Sequence, residues 1–371
     1  MELDVVQLTE DIVAINSVSQ RSNAEVSDRL EKTLKQCSFE VERLEFVDEN
    51  GESKVSLVAK KGEGDNGLGL FSHSDTVPGM EEHWEAFNPA IEDGRLIGRG
   101  SCDMKGPIAA TIVAGAEVDA TKLKKPLFIV ITADEEITGL GARQVAEESV
   151  LFNTTPPKHG VIVEPTRLVP VYAHKGGGRV VVTAHGKAAH TSTDRGISAN
   201  FLIAPFLAEM AELAEQFKTD ESFMNREFDP PTNGFNMILD DGGCKPNISA
   251  ARTVCTLSFR PMPNDRSDDV IDMVTAKAKK YGFEVSSTRG TPFYISPEAE
   301  IVRAGLKATG VAKPETVPFG TDAHVFKDYL ELVILGPGDI TQAHTVGEWI
   351  EISQLLESVE VYKRMIEMLC M

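Results

Sequence analysis

Apolar residues recur at helical spacing over residues 3–16 and again over 24–37, which predicts that the chain opens with two helices. Strand-length apolar runs follow at 39–47, 55–60 and 68–73. A helix rich in small residues, suited to close packing on a sheet, is predicted over 108–118. The segment "LFIVIT" at 127–132 is apolar throughout, the pattern of a strand covered on both faces. Another short strand is expected at 160–163. Strands alternating with helices predict an α/β domain with a mostly parallel sheet.

The texture changes near Val171. "GGGRVVVTAHGKAAH" reads as a β-branched strand and "ISANFLIAPFLAEMAELAEQF" as a long amphipathic helix. "ARTVCTLSFRPMP" reads as a second strand and "SDDVIDMVTAKAKKYG" as a second helix, so this stretch predicts a two-layer α+β insert of β-α-β-α order. The α/β texture returns after about residue 287, with "LVILGPG" and a closing helix from Ser353. A chain of 371 residues exceeds what one core usually supports. The expected plan is a discontinuous α/β domain over 1–172 plus 287–371, interrupted by a second domain over 173–286.

Composition narrows the partners. A formal net charge of −20 argues against nucleic acid and against an anionic membrane surface. No apolar run reaches the ~18 residues that a membrane span requires. The opening "MELDVVQLTEDIVAINS" carries acids where a secretory signal carries Lys or Arg. Cys37, Cys102, Cys244, Cys255 and Cys370 are scattered without a C-x-x-C pair, which suits a reducing compartment. The expectation is a cytoplasmic protein.

Polar residues gather where the apolar strands end. His73 and Asp75 follow the strand at 68–73, and Asp103 lies in "GRGSCDMKGP" just ahead of a helix. The run at 127–132 leads into Glu135 and Glu136, the strand at 160–163 into Glu164, and "LVILGPG" into a loop with His344. Open α/β sheets collect ligands at the carboxyl ends of their strands, so these residues would meet on one rim. Two imidazoles with several carboxylates form a nitrogen–oxygen donor set suited to zinc or a similar divalent metal, whereas calcium and magnesium prefer oxygen throughout. The candidates outnumber the ligands of one tetrahedral ion, and two metals sharing a bridging carboxylate use them economically.

The segments "SHSDTVPG", "GRGSCDMKG", "TADEEITGLGA", "VEPT" and "AHTSTDRGISAN" together resemble the motif series of the acetylornithine deacetylase / succinyl-diaminopimelate desuccinylase family, zinc-dependent aminoacylase and carboxypeptidase-like metallopeptidases. The resemblance runs in the family's order from about residue 70 to His344. It implies a di-zinc aminopeptidase-like catalytic domain with an inserted lid that dimerises. It implies two Zn2+ per subunit, with Co2+ or Mn2+ as substitutes. His73 and Glu164 would hold one ion, Glu136 and His344 the other, with Asp103 bridging and followed by a cis peptide bond. Asp75 would orient His73, its carboxylate holding the imidazole N–H. Glu135 would be the general base.

The same resemblance assigns His190 to an oxyanion donor reaching across a homodimer, and Asn247, Arg260, Gly320 and Thr321 to substrate binding. Arg260 would pair with an α-carboxylate. The implied reaction is hydrolysis of an N-acyl amino acid, foremost N2-acetylornithine. N-succinyl-diaminopimelate or a dipeptide is the alternative within the family, and a non-catalytic metal-stabilised binding protein is the alternative outside it. Ser72, Ser249, the single acid of Gly347-Glu348 and the glycines Gly176 to Gly178 depart from the family pattern. None of them is a proposed ligand, so they bear on the substrate more than on the reaction.

Overall fold

Helices α1 (Val5–Val13) and α2 (Ala24–Gln36) each bury one apolar stripe, Leu8, Ile12 and Val13 in the first and Val26, Leu30 and Leu34 in the second. The Asp4 carboxylate starts α1 by accepting the N–H groups of Val6 and Gln7, which lack partners inside the helix. There follow β1 (Glu40–Val47), β2 (Ser53–Lys61), β3 (Leu68–His73), α3 (Gly106–Glu117), β4 (Leu127–Thr132), α4 (Leu140–Glu148) and β5 (His159–Ile162). Next come β6 (Gly178–His185), α5 (Ala199–Thr219), β7 (Asn236–Asp240), β8 (Arg252–Phe259), α6 (Ser267–Lys280) and β9 (Glu284–Arg289). The chain closes with α7 (Glu300–Thr309), β10 (Glu331–Ile334) and α8 (Ile352–Cys370). The computed structural model describes residues 3–80, 82–263 and 266–371.

These elements divide into two units, one formed by Met1–Tyr172, Ile295–Glu315 and Thr321–Met371, the other by Ala173–Tyr294 and Thr316–Gly320. In the first unit six strands lie in the order β1-β2-β4-β3-β5-β10. The pairs from β4 to β10 are parallel, and β2 is antiparallel to both β1 and β4. Every residue of β3 and β4 is buried, as expected of strands covered on both faces. Ile108 and Ile112 of α3 and Leu355 and Tyr362 of α8 pack into one core with Ile129 and Val161.

This topology positions the site. Strand β3 lies between β4 and β5, so the chain leaves it on one side and returns on the other. Where a parallel sheet changes direction in this way, the loops at the carboxyl ends part and open a crevice. The exits of β5 and β10 also touch. A Cβ added at Gly336 would stand 2.3 Å from the Val163 carbonyl oxygen and 2.6 Å from that of Glu164.

The second unit is a four-stranded antiparallel sheet, β7-β8-β6-β9, with α5 and α6 packed on it. Phe206 and Phe217 of α5, Leu257 of β8 and Val274 of α6 share its core. The order is thus β-α-β-β-α-β, two strands richer than the sequence pattern predicts. Both extra strands are sheet edges. β7 is exposed along its whole length and β9 nearly so, and a strand with no buried face shows no apolar alternation. The β9–β6 pairing continues to Arg289, so this unit extends past residue 286 to Tyr294. Among the described residues, no helix is long and apolar enough to cross a membrane.

The contact at Gly336 yields a prediction. Gly336→Ala forces a methyl against two main-chain oxygens, one of them on Glu164. Overpacking of this kind costs ~1–3 kcal/mol. Urea unfolding of the variant is expected to show that loss, and an unchanged midpoint would mean that the two strand exits are not in tight contact.

Candidate metal centre

Each parallel strand delivers one part of the cluster. His73 is the last residue of β3. Glu135 and Glu136 lie just beyond Thr132 at the end of β4, Glu164 just beyond β5, and His344 in the loop after β10. Asp103 sits in the turn Ser101–Lys105 ahead of α3, and the peptide bond joining it to Met104 is cis. Asp134 and His344 adopt left-handed φ angles of 67° and 61°. Non-glycine residues keep such angles where their surroundings enforce them, often at functional sites. At Asp134 the enforcement is visible. Its carbonyl accepts the N–H groups of Thr138 and Gly139, its carboxylate accepts the Thr138 hydroxyl, and the buried Lys54 Nζ lies 3.3 Å from Oδ1.

Two triads result, His73–Asp103–Glu164 and Asp103–Glu136–His344, with the donor atoms of each triad within 4.8 Å of one another. Asp103 belongs to both. His73 Nε2 lies 3.2 Å from Asp103 Oδ1 and 3.7 Å from Glu164 Oε1. His344 Nε2 lies 3.4 Å from Asp103 Oδ2 and 3.1 Å from Glu136 Oε2. Glu135 Oε2 stands 4.0 Å from His73 Nε2 and belongs to neither triad.

Asp75 departs from the role expected of its carboxylate. His73 Nδ1 hydrogen-bonds the Asp75 main-chain carbonyl at 3.0 Å, while the nearer carboxylate oxygen is 3.6 Å away. That carboxylate instead accepts the N–H groups of Glu135 at 3.1 Å and Glu136 at 3.3 Å, and the Ser19 hydroxyl at 2.7 Å. The carbonyl therefore holds the ring, with Nδ1 as the N–H donor and Nε2 turned to the acids. The carboxylate fastens the β3 exit to the loop of Glu135 and Glu136.

The electrostatics show a site short of positive charge. Hydrogen bonds to Asp103 and Glu136 push His344 up to about 10. Burial works against protonation of His73, yet the Asp103 hydrogen bond and the surrounding acids raise it well above the usual imidazole range. Asp103 is held low in spite of burial, because both histidines hydrogen-bond to it. Burial, then neighbouring acids, push Glu135 and Glu164 well above the normal carboxylate range, and Glu136 rises for the same reasons. Two imidazoles and a cage of crowded carboxylates fit a pair of divalent cations, whose charge would relieve that crowding.

The remaining predicted residues divide between the two units. His190, Asn247, Arg260 and Gly320 belong to the second unit and Thr321 to the first. The main chain pairs His190 with Ile248, and Thr191 N–H donates to the Asn247 carbonyl, so His190 and Asn247 share one local frame. His190 Nδ1 accepts the Ser192 N–H at 3.2 Å, which leaves Nε2 as the N–H donor of the neutral ring. Arg260 lines a cavity of about 250 Å³ with Arg179 and the glycines Gly177, Gly178 and Gly234. Thr321 is buried, and its hydroxyl accepts the Ala323 N–H at 3.1 Å. Residue types alone did not single out Ser19, Lys54 or Glu348. For Glu348 a signal existed in its position four residues after His344.

The chain matches the model of peptidase family M20/M25/M40 over residues 69–368. It is 34% identical to a Myxococcus xanthus acetylornithine deacetylase, across 98% of this chain and 96% of that protein. Its fold is similar to that of a Sulfolobus solfataricus M20 family metallo-carboxypeptidase, with a TM-score of 0.79 at 17% identity over 98% of this chain and 99% of the other. It is also similar to the Bacillus subtilis YXEP protein, described as a dinuclear metal binding peptidase, with a TM-score of 0.66 at 14% identity over 98% and 97%.

The raised histidines predict proton release on metal binding. At about pH 7 a His344 whose pKa is about 10 carries a proton that a cation must displace. Zinc titrations of metal-free protein in buffers of different ionisation enthalpy are expected to report release of one proton or more. Affinity should tighten roughly tenfold per pH unit for each displaced proton as pH rises from about 6.5 to 8. An affinity independent of pH would contradict this electrostatic picture.

Proposed function

The chain belongs to peptidase family M20/M25/M40, and on that footing we propose that it hydrolyses the amide of N2-acetyl-L-ornithine, releasing acetate and ornithine. The observation that carries this reading is the pair of triads sharing Asp103, with Glu135 beside them and outside both. The 34% identity to an acetylornithine deacetylase over nearly the whole chain supports the choice of substrate.

His73, Asp103 and Glu164 would hold one cation and Asp103, Glu136 and His344 the other, with zinc favoured by the nitrogen–oxygen donors and Co2+ or Mn2+ as substitutes. Bound there, the cations would polarise the amide carbonyl and acidify the attacking water. Glu135 takes the proton of that water and hands it to the departing amine nitrogen as the C–N bond breaks. Its raised pKa, caused first by burial and then by neighbouring acids, suits a group that must hold a proton between the two steps. Asp75 serves the chemistry by holding the Glu135–Glu136 main chain and, through its carbonyl, the His73 ring.

For the substrate we assign His190 Nε2–H as a donor to the developing oxyanion. Arg260 pairs with the α-carboxylate, and Asn247, Gly320 and Thr321 complete the recognition. In this reading the first unit acts as the catalytic domain and the second, Ala173–Tyr294 with Thr316–Gly320, as the lid. The edge strand β7 exposes Met237, Ile238 and Leu239, and Phe201 on α5 is 84% exposed. An unpaired apolar edge beside an exposed aromatic is a surface for pairing with a second copy, which supports a homodimer. All five cysteines are free, which supports a cytoplasmic setting.

Zinc-loaded protein is expected to release ornithine from N2-acetyl-L-ornithine, and Glu135→Gln to slow this by roughly 10²–10⁴-fold with metal still bound. Turnover of N-succinyl-diaminopimelate or a dipeptide in its place would move the substrate. Absence of turnover with any of them would favour a binding protein. Light scattering is expected to find a dimer that Ile238→Lys converts to monomer, and a wild-type monomer would remove the dimer from the reading.

A further inference from the structure

Glu348 has no place in either triad, yet no part of its side chain is exposed to solvent and both of its oxygens are fully engaged. Oε1 accepts the N–H groups of Cys102 and Asp103, each at 2.9 Å. Oε2 accepts Arg99 Nη1 at 2.7 Å and the Gly100 N–H at 3.1 Å. The Glu348 main-chain carbonyl in turn accepts the Gly98 N–H at 2.9 Å, and beyond it Trp349–Glu351 pairs with Arg95–Ile97. One carboxylate therefore takes three main-chain N–H groups, those of Gly100, Cys102 and Asp103, at the turn that presents Asp103. It does so from a position four residues after His344.

We infer that Glu348 is a positioning residue for the metal centre, one that sets the Asp103–Glu136–His344 triad more strongly than the His73–Asp103–Glu164 triad. The inference rests on the reading of the cluster as a two-cation site. The asymmetry follows from counting what Glu348 holds. In the first triad it holds Asp103 through the main-chain N–H and anchors the end of the segment that begins at His344, four residues before it. In the second it fixes Asp103 alone, because His73 and Glu164 hang from β3 and β5. A glutamine cannot replace it. The amide has one acceptor oxygen, and its NH2 end would face either the Cys102 and Asp103 N–H pair or the Arg99 and Gly100 donors. One pair of hydrogen bonds becomes a donor–donor clash.

The test is calorimetric titration of metal-free full-length protein with zinc, comparing wild type with Glu348→Gln. Wild type is expected to bind two ions. In the variant one ion should bind with nearly wild-type affinity and the other ~10–100-fold more weakly, the usual effect of losing a group that orients a ligand. Glu351→Gln, a change to a half-buried acid that pairs with Arg95 and touches neither triad, should leave both steps unchanged. A Glu348→Gln titration equal to wild type, or one in which both steps weaken alike, overturns the inference. Should Glu348→Gln fail to give a native near-ultraviolet circular dichroism spectrum, Glu348→Asp keeps the charge with a shorter reach, and the same selective weakening is expected. If neither variant folds, Glu348 is a folding residue and the inference fails. Wild-type protein that binds fewer than two ions would instead refute the two-cation reading itself, so the two failures are distinguishable.

Discussion

The structure turns on one electrostatic constraint, the gathering of Asp103, Glu135, Glu136 and Glu164 into a single rim at the carboxyl ends of parallel strands. Removing such groups from water is costly, and packing them side by side adds mutual repulsion. Two partial remedies are built into the chain. His73 and His344 face the acids and are driven to hold protons, which keeps Asp103 ionised. Glu135 and Glu164 drift in the opposite direction and tend to stay protonated. A pair of divalent cations would replace both compromises, releasing the histidine protons and letting every ligand carboxylate ionise.

Holding mutually repelling groups in place is a mechanical task, and the fold assigns it to residues outside the triads. The first support is the parallel sheet, whose buried strands β3 and β4 bring His73 and the Glu135–Glu136 loop to one edge. The second is a set of polar ties between loops, since loops lack the hydrogen-bond ladder that makes strands rigid. Asp75 binds the β3 exit to the β4 exit and to Ser19. Buried Lys54 lies beside Asp134 while its Nζ donates to the carbonyls of Ser19 and Arg21. Glu348 clasps the turn of Asp103. In each case an ionic side chain, buried away from water, satisfies main-chain groups that loop geometry would otherwise leave without partners.

Much of this was legible in the sequence because burial writes strong patterns. β3 and β4 are fully covered and read as continuous apolar runs, and the polar residues that interrupt them are the ones that converge. The order of the motifs carried the family resemblance. Legibility failed where burial was weak. β7 and β9 are sheet edges with little covered surface, so their residues carry no alternation. Helix α7 is buried but was missed for another reason: three of its five buried residues, Ala304, Gly305 and Ala308, are small, and such a stripe hardly stands out from its surroundings. At the site, spacing placed Asp75 beside His73 but could not say whether its carbonyl or its carboxylate would meet the ring. That choice depends on where the Glu135 and Glu136 N–H groups lie, sixty residues along the chain. Glu348 offered only its place four residues after His344, because its partners are main-chain N–H groups, which every sequence has.

The central claim is that the crowded rim is a seat for two divalent cations sharing Asp103. Crystals grown with zinc and measured on both sides of the zinc absorption edge test it most directly. Two anomalous peaks are predicted, one among His73, Asp103 and Glu164 and one among Asp103, Glu136 and His344, with Glu135 touching neither. A map with no anomalous density in the rim, or with the ions held by other residues, would contradict it.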